Sequence, residues 1–125
     1  MTKRILIIDD DEGIREIAQI CLETVAGWDV LMAASGKEGI MMAQVEQPDS
    51  ILLDLTMPEM NGIETFQQLQ GNSQSKEIPT ILLTAQGNKG DNQQFLELGF
   101  TGVINKPFEA MELVTQMCQI LGWEF

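Results

Sequence analysis

The chain has 125 residues, of which 44% are hydrophobic and 21% charged, and this length and composition predict one globular domain over residues 1–125. Lys and Arg total 7 against 19 Asp and Glu, with no His, so the formal net charge is −12. A surface of that sign repels phosphate backbones, and no apolar run approaches the roughly 18 residues of a membrane span, so we expect neither direct nucleic-acid binding nor membrane insertion.

Short aliphatic runs alternate with segments of helical spacing along the chain. The predicted strands cover residues 3–9, 28–33, the start of the stretch 51–58, 78–85 and 101–105. The predicted helices run from 14 to a cap at Gly27, from 35 towards 47, from 63 to about 71, up to a stop at Gly99, and from about 109 to 121. Five repeats of strand and helix predict an α/β fold, with a parallel sheet covered by helices on both faces.

The first predicted helix also bears on the redox state of the chain. Its apolar residues form one stripe that we expect to face the core, made of Ile14, Ile17, Ala18, Cys21, Leu22 and Val25. Cys118 lies in the last helix, and the two cysteines lack Cys-x-x-Cys spacing. They are therefore predicted to be reduced, core-facing thiols of a cytoplasmic protein.

Functional side chains follow four of the five predicted strands. Asp9 and Asp10 end the first strand, Asp54 the third, Thr84 the fourth and Lys106 the fifth. The carboxyl ends of parallel strands meet at one edge of a sheet, where such folds bind ligands. Neighbouring carboxylates repel one another, and a divalent cation removes that conflict. Hard oxygen ligands, with no His or Cys available, select Mg²⁺ or a similar ion and not zinc.

This predicted site is suited to phosphoryl transfer. Three carboxylates, one Mg²⁺ and Lys106 sum to about zero charge, which leaves the site ready for an anion. Asp54 can then act as the nucleophile and form an aspartyl phosphate, while Thr84 donates a hydroxyl to a phosphoryl oxygen. Asp9 and Asp10 are predicted to hold the metal, which Asp54 also touches.

At this point the sequence resembles the receiver domains of bacterial two-component response regulators, of the stand-alone chemotaxis type, over nearly its whole length. The motifs that carry the resemblance are Asp9-Asp10-Asp11-Glu12, the stretch 54–62 with Met57-Pro58 and Gly62, Leu83-Thr84-Ala85, and Lys106-Pro107-Phe108. Four spaced motifs in the right order are far more specific than any one of them.

The resemblance implies a doubly wound, flavodoxin-like (βα)5 fold with strand order 2-1-3-4-5. It implies Mg²⁺ bound by Asp10, Asp54 and the backbone carbonyl of Thr56, with Asp9 acting mainly through water. It also implies a cis bond before Pro107, and phosphoryl transfer to Asp54 from a histidine kinase or phosphotransfer protein.

The chain departs from the family pattern at the position three residues before Lys106. The family usually carries an aromatic residue there, and this chain has Val103. The usual coupling of such a ring to Thr84 is therefore not expected, and Phe100 is the nearest aromatic candidate. Thr56 and Gln86 occupy the positions that flank the route of the attacking water in the family.

Three functions stay open from the sequence. The first is a stand-alone response regulator, not an enzyme beyond phosphorylation and autodephosphorylation of Asp54, with output by contact with an unknown protein. The second is a haloacid-dehalogenase-type phosphatase, because Asp9-Asp10-Asp11 contains an Asp-x-Asp pattern. The third is a receiver fragment of a larger regulator. Trp123 and Phe125 either fold back on the core edge or dock a partner.

Overall fold

The computed structural model describes residues 2–85 and 89–124, and within these ranges the chain forms five strands and five α-helices. The strands are β1 (Arg4–Ile8), β2 (Asp29–Ala33), β3 (Ser50–Asp54), β4 (Thr80–Thr84) and β5 (Gly102–Asn105). The helices are α1 (Glu12–Cys21), α2 (Gly36–Glu46), α3 (Gly62–Gln70), α4 (Lys89–Leu98) and α5 (Ala110–Leu121), and a π-helical segment, Leu22–Ala26, continues α1.

The strands form one parallel sheet in the order β2-β1-β3-β4-β5, which confirms the predicted doubly wound fold. β3 is the central strand, and every residue of β3 and β4 is buried, whereas most of the edge strand β2 is only partly buried. A run such as Ile51-Leu52-Leu53 suits that central position because both of its faces are covered.

Alternate residues of each strand point to opposite faces of the sheet and supply two separate cores. Ile5 and Ile7 of β1 belong to the core beneath α1 and α5, and Leu6 and Ile8 to the core beneath α2 and α3. The first core includes Leu52, Ile81, Leu83, Leu113, Val114 and Met117, and the second includes Leu53, Phe66, Leu69, Leu82, Phe95 and Phe100.

The first helix starts earlier than its apolar spacing predicts. Asp11 is its N-cap, and the Asp11 side chain accepts hydrogen bonds from the backbone N–H groups of Gly13 and Ile14, at 2.8 and 3.2 Å. The prediction that Ile17 faces the core is wrong, because that side chain is 51% exposed. Ala18, Cys21 and Leu22 are buried in the core as predicted, and Val25 packs against it partly buried.

At the amino edge of the sheet, the start of the fourth strand differs from the prediction, whereas Trp123 takes one of its two predicted positions. The fourth strand begins at Thr80 and not at 78, and the carbonyl of Pro79 accepts a hydrogen bond from the N–H of Ile51 at 2.9 Å.

Trp123 folds back onto Trp28, with ring centroids 5.3 Å apart and planes at 89°, and Lys3 Nζ lies 4.6 Å from the centroid of the Trp123 ring. Phe125 lies outside the described residues.

The cysteines are free and buried, as predicted, and across residues 2–85 and 89–124 no helix is long and apolar enough to cross a membrane. Burial raises the pKa of both the Cys21 and the Cys118 thiol above the ordinary value.

We expect both thiols to react slowly with a disulfide reagent such as dithionitrobenzoate in the native protein, because little thiolate forms at pH 8 and access is blocked. The expected rate is at least roughly 10-fold below that of the same protein in denaturant. Equal rates in the two solvents would contradict the burial of these side chains.

Candidate functional site

Two carboxylates meet where β1 and β3 end. Ile8 pairs with Leu53 across the two strands, so Asp9 and Asp54 follow at neighbouring positions. Asp9 is fully buried and Asp54 is 5% exposed, whereas Asp10 is exposed. Carboxylate oxygens of Asp9, Asp10 and Asp54 all lie within 4.8 Å of one another, so the three predicted acidic residues come together.

Lys106 joins this cluster from the end of β5. Its Nζ donates hydrogen bonds to Asp54 Oδ1 at 2.8 Å and to Asp9 Oδ2 at 3.1 Å. Its backbone N–H donates to the carbonyl of Thr84 at 2.9 Å, which ties the ends of β4 and β5 together. The peptide bond between Lys106 and Pro107 is cis, as the family resemblance implies.

The remaining predicted residues lie at the same edge of the sheet. Thr84 is buried at the end of β4 and pairs in register with Asn105. Thr56 is exposed, two residues after Asp54 in the loop that leaves β3. Gln86 lies outside the described residues.

The loop after Asp54 closes tightly over the end of β3. The N–H of Gly62 donates to the carbonyl of Leu55 at 2.8 Å, and Asn61 and Glu64 form a reciprocal capping box at the start of α3. A Cβ on Gly62 would lie 2.4 Å from the Asp54 carbonyl oxygen, so only glycine allows this close approach.

The cluster combines three formal negative charges, on Asp9, Asp10 and Asp54, with one positive charge on Lys106. Burial raises the pKa of Asp54 above its ordinary value; the hydrogen bond and charge of Lys106 lower it, but the charges of Asp9 and Asp10 add to the rise. Burial lowers the pKa of Lys106, but its hydrogen bonds to Asp54 and Asp9 outweigh that effect and leave this pKa raised. Two neighbouring carboxylates, Asp9 and Asp10, thus oppose the ionisation of Asp54, and one ammonium group, Lys106, favours it.

These residues fit a hard divalent cation. The donors are carboxylate oxygens close enough to share one ion, and the chain has no His to favour a softer metal. Both carboxylate oxygens of Asp9 are already engaged, because Oδ1 accepts from the N–H of Asp11 at 2.9 Å and Oδ2 accepts from Lys106. Asp10 and Asp54 are therefore the better direct ligands.

Arg15 is one residue of the site that the sequence analysis missed. Its Nη1 donates a hydrogen bond of 2.8 Å to the backbone carbonyl of Asp9. The signal was present in the sequence, since Arg15 follows the N-cap Asp11 by four residues, one helical turn that brings its side chain back over the end of β1.

Comparison with known proteins agrees with this geometry. Residues 5–117 match the model of the response regulator receiver domain. The alkaline phosphatase synthesis transcriptional regulatory protein PhoP of Bacillus subtilis is 38% identical over 121 residues, which cover 97% of this chain and 49% of that protein. The DNA-binding dual master transcriptional regulator RpaA of Synechocystis is 38% identical over 118 residues, which cover 94% of this chain and 48% of that protein.

Among solved structures, the chemotaxis response regulator CheY4 of Vibrio cholerae superposes with a TM-score of 0.88 at 31% identity, covering 96% of this chain and 99% of that one. The chain belongs to the response regulator receiver domain family. It is thus a signal-transduction module of two-component systems and not a classical enzyme, and it spans about half the length of the curated relatives that it matches.

Replacing Gly62 with Ala tests the tight loop after Asp54. We expect the free energy of unfolding to fall by about 1–3 kcal/mol, because the new Cβ meets backbone atoms that cannot move aside. Urea denaturation measures this change. Gly71→Ala is the matched control, since Gly71 has an ordinary φ of −79° and its Cβ would lie no closer than 3.4 Å to a neighbour; that variant should stay within about 0.5 kcal/mol.

Replacing Asp54 with Asn tests the charge imbalance. The folded-state pKa of Asp54 is raised, so the folded protein binds this proton more tightly than the unfolded chain, and ionisation of Asp54 costs stability as pH rises through that pKa. In the presence of a chelator, we therefore expect the Asn variant to unfold at higher urea than the wild type at pH 7.

That stabilisation should shrink as pH falls through the folded-state pKa of Asp54 towards the unfolded value. Asp29→Asn, at an exposed position on β2, is the control and should change little. An Asn variant less stable than the wild type at pH 7 without metal would show that the bond to Lys106 outweighs burial and repulsion.

Proposed function

We propose that this receiver domain accepts a phosphoryl group on Asp54 from the phosphohistidine of a histidine kinase or phosphotransfer protein, with Mg²⁺ as cofactor. The observation that carries the proposal is the contact of Lys106 Nζ with both Asp54 and Asp9, at 2.8 and 3.1 Å, beside the exposed carboxylate of Asp10. Once a divalent cation compensates the carboxylates, the ammonium group of Lys106 lies where it can bind an incoming anion.

Asp54 is the nucleophile of the proposed transfer. Because Lys106 binds Oδ1, we assign the attack on phosphorus to Oδ2. The new bond joins this oxygen to phosphorus, the bond between phosphorus and the imidazole nitrogen of the donor breaks, and the donor histidine keeps that electron pair. Lys106 then moves from the carboxylate towards a phosphoryl oxygen, and the Thr84 hydroxyl donates to another.

Asp10, Asp54 and the carbonyl of Thr56 are the proposed metal ligands. Asp9 contributes through water, in agreement with the hydrogen bonds that already occupy both of its carboxylate oxygens. When bound, Mg²⁺ neutralises charge that develops on the transferring group.

We further propose that residues 1–125 form one domain that reports its phosphorylation through contact with another protein in the cytoplasm. The net charge of −12 supports contact with protein and not with DNA by this domain itself. The curated relatives are about twice as long and include transcriptional regulators, so a role as the receiver part of a longer regulator is the alternative. Membership of the receiver family disfavours the haloacid-dehalogenase reading.

Incubation with phosphoramidate and Mg²⁺, followed by intact mass spectrometry, tests the proposed chemistry. We expect the wild type to gain one base-labile phosphoryl group and Asp54→Asn to gain none. Lys106→Met should slow the reaction roughly 10²-fold, because it removes the cation that faces the transferring group.

Asp29→Asn serves as the matched carboxylate control and should react like the wild type. Phosphorylation of the Asp54→Asn variant at the wild-type rate would overturn the assignment of the phosphoacceptor. Steady phosphomonoester hydrolysis that is lost on Asp9→Asn but kept on Asp54→Asn would instead support a phosphatase.

A further inference from the structure

We propose that Arg15 is a positioning residue of the site: its bond to the Asp9 carbonyl holds the turn between β1 and α1 in the shape that binds Mg²⁺. This inference rests on the proposed function only for the identity of the metal. It adds a residue from α1 to a site otherwise built from strand ends.

The contacts of Asp9 show how closely this residue is held. Its N–H donates to the Ala33 carbonyl at 3.1 Å, and its two carboxylate oxygens accept from the N–H of Asp11 and from Lys106 Nζ. The fourth polar group, the backbone carbonyl, accepts from Arg15 Nη1 at 2.8 Å. Asp9 is fully buried, so loss of the Arg15 bond leaves a carbonyl oxygen that must find another donor or water.

The position of Asp10 depends on its two neighbours. Asp10 is exposed, so packing does not orient it, and its direction is set by the backbone on either side. Asp11 is fixed on one side because its side chain caps α1 through Gly13 and Ile14. Asp9 is fixed on the other side, where Arg15 ties its carbonyl to the same helix.

Charge and position predict opposite effects of Arg15 on a cation. The guanidinium is positive, so its removal would strengthen Mg²⁺ binding if charge dominated. If position dominates, its removal weakens binding, because Asp9 and Asp10 no longer converge with Asp54. We infer that the positioning effect of Arg15 is larger than its charge effect. Its guanidinium is directed at a carbonyl and is partly buried, whereas the carboxylate of Asp10 is exposed, so its interaction with the charge of Arg15 is screened by the solvent.

The test is the Mg²⁺ dissociation constant of the whole chain, measured by isothermal titration calorimetry for Arg15→Met. Met keeps most of the aliphatic stem and removes the donor. We expect the dissociation constant to rise about 10-fold, the size of effect typical for residues that orient metal ligands. Amide hydrogen exchange at residues 9–11 should become faster in the same variant.

Arg4→Met is the matched control. Arg4 Nη1 makes the same kind of bond, 2.7 Å to the carbonyl of Glu46, but at the opposite end of β1. Its loss should leave the Mg²⁺ dissociation constant unchanged. Arg15→Lys keeps the charge and one donor, and we expect it to restore binding to within about threefold of the wild type.

An unchanged or lower dissociation constant in folded Arg15→Met would overturn the inference, and a lower one would show that charge dominates. If Arg15→Met does not fold, Arg15→Gln gives the same comparison, because its amide is too short to take the place of the guanidinium. Failure of Asp54 to accept a phosphoryl group would count against the proposed function alone, since calorimetry measures metal binding without any phosphoryl transfer.

Discussion

The site depends on one interaction, the ammonium of Lys106 placed between two carboxylates that are removed from water. Asp9 and Asp54 are buried at adjacent strand ends, and each accepts a hydrogen bond from the same Nζ, at 3.1 and 2.8 Å. Burying like charges side by side is costly unless a cation compensates them. Asp10 adds a third carboxylate to the cluster, and burial, together with the charges of Asp9 and Asp10, raises the pKa of Asp54 despite its bond to Lys106.

The fold explains why that cluster forms where it does. β3 is the middle strand of the sheet, with β1 on one side and β4 on the other, so its carboxyl end is flanked by two further strand ends. Asp9, after β1, and Lys106, after β5, reach Asp54 without long loops, and the glycine at 62 lets the loop after β3 close against the Asp54 carbonyl. A site on an edge strand would have neighbours on one side only.

Much of this could be predicted from sequence because it follows from short-range patterns. Aliphatic runs gave the strands, and the polar residue after each run gave Asp9, Asp54, Thr84 and Lys106. Arg15 was missed because its acceptor is a backbone carbonyl, so residue types alone do not indicate the contact; only its position one turn after the N-cap Asp11 does. Ile17 was misjudged for a related reason: helical spacing fixes which residues share a face, but the width of the buried stripe depends on the packing of α1 against its neighbours.

Val103 lies on β5 at the position where the family resemblance implies an aromatic side chain. Phe100, the nearest aromatic candidate, precedes β5, stacks on Phe66 with centroids 4.0 Å apart and packs edge-on against Phe95. Thr84 pairs with Asn105, at the carboxyl end of β5. Asn105 lies five residues after Phe100, which is about 17 Å of extended chain at roughly 3.3 Å per residue. The ring contacts of Phe100 thus join it to α3 and α4, whereas the end of β4 is joined to β5 through the pairing of Thr84 with Asn105 and the hydrogen bond from the N–H of Lys106.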